Sequence, residues 1–113
     1  MIIHLDEDIF EVVKNGTKNI ECRLNDEKRR LLKIGDNLTF LKRPDDKEKI
    51  EAIVDDLKYY DNFSDMMNDY SIEDVYVKGY SKEEFLKLLE RFYTIDDQNK
   101  YGVVAIKFKK KVD

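Results

Sequence analysis

GTKNIECRLNDEKRRLLKIGD, residues 16–36, opens on a turn glycine and closes on a second turn, Gly35-Asp36. From Lys18 the pattern has a period of two. Ile20, Cys22 and Leu24 share one face of a strand, and Asn19, Glu21 and Arg23 share the other. The first face is apolar and belongs to a core; the second is wholly polar. Asn25 to Lys33 is then a charged loop or helical turn anchored by Leu31, Leu32 and Ile34.

Upstream, residues 1–5 (MIIHL) form a short apolar first strand. Asp6, Glu7 and Asp8 suit a helix start, where carboxylates oppose the positive end of the helix dipole. Ile9, Val12 and Val13 give that helix one apolar face, with Phe10 beside it. Lys14 suits its C-terminus, and Asn15-Gly16 supplies a residue able to adopt the left-handed cap conformation. Downstream, Leu38 and Phe40 alternate in a half-buried strand, and Pro44-Asp45-Asp46 marks a hairpin tip. The return strand, Glu48 to Leu57, changes phase between Ile50/Ala52/Val54 and Ile53/Leu57, the mark of a bulge or of burial on both faces.

Phe63, Met66, Met67 and Tyr70 predict an amphipathic helix of about two turns packed on the core. Ser71 to Asp74 start a short helix with Val75 and Tyr76 inward. Ser81 and Glu84 form a capping box ahead of the stripe Phe85, Leu88, Leu89 and Phe92. Asp96 to Lys100 reads as a polar loop. The last strand, Val103 to Phe108, carries Val104, Ile106 and Phe108 on one face, and Lys109 to Lys111 follow as a solvated tail.

The chain of 113 residues fits one domain, residues 1–113, with seven Tyr and six Phe offsetting a modest apolar fraction of 42%. One Cys and one His are too few for a zinc site or an internal disulfide. An apolar run of about 18 residues and a secretory leader are both missing, so the expectation is a cytoplasmic protein without a membrane span. Charge is blocked along the chain. Residues 14–43 hold nine cations against four carboxylates and residues 100–113 five against one, whereas residues 44–99 hold sixteen carboxylates against seven cations. If the two basic blocks meet, they make a face for an anion such as a nucleic-acid backbone.

No Gly-rich phosphate loop, Ser/His/Asp set or metal-ligand spacing is present. His4 reads as a strand residue near the surface, and Cys22 as a buried, unreactive thiol. What remains is Lys18, Glu21 and Arg23, with Lys28, Arg29 and Arg30 behind them. Spacing alone leaves two readings of Glu21 and Arg23 open: a salt bridge on an exposed sheet face, or an acceptor and a fork of donors aimed at one polar ligand.

Gly16 to Asp26, Lys28-Arg29 and Ile34-Gly35-Asp36 together resemble the signature of ASCH domains: a G-x-K-T-x-E-x-R-like strand, a basic segment, and a G-D turn into a strand. The resemblance spans essentially the whole chain. It implies an α+β, PUA-like fold, a small mixed β-barrel of about five to six strands with helices packed around its openings. It also implies RNA binding in a cleft lined by a Lys, a Glu and an Arg. Some members are amidohydrolases acting on N(4)-acetylcytidine. In those, the positions matching a catalytic Thr and Glu are here Glu21 and the neighbourhood of Lys78, and Asn19 stands where the motif has Thr.

The expectation is therefore an RNA- or nucleotide-binding module without cofactor, metal or membrane. Lys18, Glu21 and Arg23 form its polar cleft, and Arg29, Arg30 and Lys42 are further phosphate contacts. The alternative is an amidohydrolase or nuclease in which Lys18 and Glu21 do the chemistry.

Overall fold

A computed structural model describes residues 1–111; Val112 and Asp113, the end of the C-terminal basic block, lie outside the described residues. In chain order the elements are β1 (Ile2–Leu5), α1 (Glu7–Lys14), β2 (Ile20–Leu24), a 3-10 turn (Arg29–Leu31), β3 (Asn37–Lys42), β4 (Lys49–Tyr60), α2 (Phe63–Met66), α3 (Ile72–Val75), α4 (Lys82–Phe92), α5 (Ile95–Tyr101) and β5 (Val103–Lys110). One five-stranded sheet runs in the order β1-β3-β4-β5-β2. β1 and β3 are parallel, and every other pair is antiparallel. The first two strands of the chain thus become the two edges, and the last strand inserts beside β2. The architecture is α+β, a sheet curled into a half-barrel.

Two cores lie on opposite faces. Ile3, Leu5, Phe10, Val13, Leu38, Phe40, Val54, Ile106 and Phe108 pack inside the curl against α1. Ile20, Cys22, Leu24, Phe63, Met66, Val75, Phe85, Leu89, Val103 and Ala105 pack on the outer face beneath α2 to α4. β5 is buried on both faces, and its alternation assigns Val104, Ile106 and Phe108 to one core and Val103 and Ala105 to the other. In β4 the register slips between Val54 and Asp56, so the phase change in the sequence is a bulge. Ile53 stays 39% exposed, so that strand is not buried on both faces.

Several expectations are corrected. Asp96 to Lys100 is not a loop but the body of α5, capped by Thr94, whose Oγ1 accepts from the Asp97 N–H at 3.1 Å. Its one buried residue is polar, Gln98, so no apolar stripe announces the helix. The helix at Phe63 is a single turn, not two, and Tyr70 lies beyond it. Of the three apolar residues of the basic loop only Leu32 is buried; Leu31 is 76% and Ile34 65% exposed. β4 runs on to Tyr60, past Leu57, and β5 takes in Lys109 and Lys110. Gly102, between α5 and β5, has φ of 70° and a carbonyl of Tyr60 3.1 Å from where a Cβ would stand. Only glycine fits there without strain.

Candidate functional site

The polar face of β2 is the one opposite Ile20, Cys22 and Leu24, with Glu21 and Arg23 paired in register to Ile106 and Val104 of β5. Lys18 lies just before β2, its backbone N–H held by the Val12 carbonyl of α1 at 3.0 Å. Its side chain is 2% exposed, and its Nζ donates to the Ile20 carbonyl and to Glu21 Oε1, the latter at 3.2 Å. Glu21 Oε2 accepts from Arg23 at 3.1 Å. Arg23 also makes a long 3.5 Å contact to the Tyr93 hydroxyl. The polar residues of β2 are therefore an ion-pair chain, but a buried one rather than the exposed bridge that spacing alone allows. Burial pushes the Glu21 carboxyl up, yet Lys18 and Arg23 together outweigh it and hold the group below its ordinary value. Burial would lower Arg23, and Glu21 and Tyr93 outweigh it in the same way, so its guanidinium titrates above its ordinary value.

Two cations share one carboxylate, which leaves one surplus positive charge. It faces a cavity of about 280 Å³ at the seam where the half-barrel stays open between its edge strands. His4 and Leu5 of β1 line one side and Glu21 and Arg23 of β2 the other. Val75, Tyr76, Phe85, Leu88, Phe92 and Tyr93, contributed by α3, α4 and the residues just after each, form an apolar and aromatic wall. The spacing of α4 puts Phe92 in its core stripe, but the ring sits at the end of the helix and is 71% exposed at the cavity. Such walls exclude high-dielectric water and focus the field of the surplus charge.

Not all the expected residues gather here. Arg29 is tied to Asp26 at 3.2 Å, and Arg30 donates to the carbonyls of Asn25 and Tyr101 at 2.8 and 3.4 Å. Both staple the charged loop. Lys42 is surrounded by Glu11, Glu48 and Glu7 at 3.3, 3.6 and 3.8 Å. None of the three lines the cavity. Conversely, Tyr76, Phe92, Tyr93 and Arg43 line it; the sequence reads Tyr76 and Phe92 as core positions and gives Tyr93 and Arg43 no role. His4 stands at the rim, its Nδ1 3.2 Å from Asp46. Among the described residues no group of His, Cys, Asp and Glu could hold a metal ion, and no helix is long and apolar enough to cross a membrane.

Cys22 lies in the outer core. Burial, the largest effect, pushes its thiol up to about 12. In the folded protein iodoacetamide at pH 8 is therefore expected to leave Cys22 unmodified, with alkylation only in denaturant, as read by intact mass. Rapid native labelling would show that the β2 face opens.

A curled five-stranded mixed sheet with helices over its open seam is an α+β fold of the PUA-like class. The ASCH domain model matches residues 3–112, and the chain belongs to the ASCH domain family. It is similar to the crystal structure of hypothetical protein PH0355, with 36% identity, 97% of each chain covered and a TM-score of 0.84. It is also similar to the solution NMR structure of protein PF0455 from Pyrococcus furiosus, with 32% identity, 97% of each chain covered and a TM-score of 0.72. No curated protein matches the chain.

Proposed function

We propose that the protein binds single-stranded RNA by taking one nucleotide into the cavity at the β1–β2 seam. The observation that carries this reading is the Lys18–Glu21–Arg23 chain, buried yet left with one surplus positive charge on an aromatic-walled cavity. At about 280 Å³ the cavity is at the small end of ligand sites, suited to a single nucleoside rather than to a duplex. Arg23 uses few of its five N–H donors on protein acceptors, which leaves a fork for a base edge or a phosphate. Each Glu21 oxygen holds one donor and retains a lone pair for an exocyclic amino group. Tyr76, Phe92 and Tyr93 supply the faces against which a base stacks. RNA binding is also what membership of the ASCH family suggests.

The amidohydrolase or nuclease reading has less behind it. Among the described residues lining the cavity there is no Ser or Thr, and Lys78 is not among them. Lys18 already gives its Nζ to Ile20 and Glu21, which suits a fixed charge better than a proton carrier. The test is a fluorescence titration with nucleosides and short RNA at low salt. Arg23→Ala is expected to weaken both by about 10–100-fold, the worth of one or two charge-assisted hydrogen bonds. Wild-type affinity in that variant, or no binding by the native protein, overturns the reading. Release of acetate from N(4)-acetylcytidine, lost in Lys18→Ala, would favour the enzyme instead.

A further inference from the structure

A second cleft of about 230 Å³ adjoins the cavity and shares Tyr76 and Leu88 with it as a common wall. It is completed by Tyr80, Glu84, Lys87 and Arg91, on or just before α4. Tyr76 is stacked on Phe85 with centroids 4.7 Å apart and planes 17° apart, which fixes its ring. Tyr80 meets Tyr76 edge-on at 5.1 Å and is 44% exposed. Lys87 and Arg91 are four apart on one helix face, where like charges repel and weaken the helix. Among the described residues neither makes an ion pair within 4.0 Å. Glu84 Oε1 accepts from the Ser81 N–H at 3.0 Å in the capping box, and its charge attracts Lys87 without forming an ion pair within 4.0 Å. Arg29, Arg30 and Lys42, by contrast, all have protein acceptors.

We propose that this cleft is a second RNA subsite, continuous with the first: the base next to the one in the cavity stacks on Tyr80 and Tyr76, and its phosphates are held by Lys87 and Arg91. The proposal rests on the cavity being the first nucleotide's site. It places the backbone path across α4, within the most acidic segment of the chain, and away from the basic loop 25–34. The occupant is a phosphodiester chain and not a lone nucleoside, because the two free cations lie beyond the cavity and not inside it.

The experiment compares two probes, a free nucleoside and a fluorescein-labelled random-sequence RNA of about six nucleotides. Lys87→Ala/Arg91→Ala removes two exposed side chains from a helix in favour of its best former, so folding is retained. It is expected to weaken RNA about tenfold at low salt. It should also reduce the slope of log affinity against log salt by roughly 1.4, about 0.7 for each phosphate that is no longer neutralised. Nucleoside affinity should not change. Tyr80→Ala is expected to weaken RNA by about tenfold with a smaller change of slope. Lys28→Ala/Lys33→Ala removes the same charge from the basic loop and should leave RNA binding near wild type. If the α4 pair behaves like that control while Arg23→Ala still weakens nucleoside binding, the second subsite is wrong and the cavity reading stands. If the native protein binds neither probe, the cavity reading fails and the second subsite falls with it.

Discussion

Glu21→Gln is expected to cost about 3–5 kcal/mol of folding stability at neutral pH, the usual consequence of removing one partner from a buried ion pair. The side chain is 10% exposed and its carboxylate is the acceptor shared by Lys18 and Arg23. With Gln in its place both cations stay in the wall of the cavity without a counter-charge. The effect has a defined pH dependence. The folded Glu21 carboxyl lies below its ordinary value of 4.5, so the ionised group stabilises the fold fully above that value. The contribution is lost as the pH falls from there through the lowered folded value. Urea denaturation of both proteins from pH 7 down to pH 3 should therefore show a gap that is constant above about 4.5 and narrows below it. Lys18→Met/Glu21→Gln removes one charge of each sign and should recover part of the loss, because the two deletions are coupled. A constant gap at all pH values, or a Glu21→Gln protein as stable as wild type, would show that the chain is solvated.

The second large effect falls on Gln98, whose amide joins three segments. Its Oε1 accepts from the Phe63 N–H at 3.0 Å, one of the unsatisfied donors at the start of α2, and its Nε2 donates to the Tyr93 carbonyl at 3.0 Å. Gln98→Met keeps the volume but strands both groups, and is expected to cost about 2–4 kcal/mol in denaturant unfolding. Gln98→Ala adds a cavity and should cost roughly 1 kcal/mol more. Because Tyr93 reaches from this junction to Arg23, both variants should also weaken nucleoside binding several-fold under conditions where they remain folded. A Gln98→Met protein of wild-type stability would mean that water replaces the amide.

Gln98 also shows where the sequence stops being legible. Thr94 followed by Asp97 is a helix-start signal in plain view, but the segment behind it has no apolar stripe, since the residue α5 buries is an amide. Periodicity detects burial only when the buried side chains are apolar. Phe92 shows the reverse. It continues the stripe of Phe85, Leu88 and Leu89, but the core ends before it does, and the ring stands over a cavity instead. The basic residues mislead for a third reason. The partners that occupy Lys42 come from Glu7, Glu11 and Glu48, in segments that only the fold brings together. Lys87 and Arg91 are inconspicuous because they sit in a segment rich in carboxylates.

By itself the sequence determined the two faces of β2, the turn at Asn15-Gly16, the capping box at Ser81, and the chain order of the strands and of the helices other than α5. These are local matters, decided by a period of two or of 3.6 and by which side chains can satisfy an unpaired N–H. Only the tertiary structure decided what the polar face of β2 looks at. β5 pairs between β4 and β2, across some of the longest separations in the chain, and leaves β1 and β2 as the unjoined edges of the curl. Alternation specifies that a face is buried or polar but not which distant segment covers it. With β1, α3, α4 and the start of α1 lining the same cavity, the polar face that could have been a solvent-exposed salt bridge becomes its charged wall.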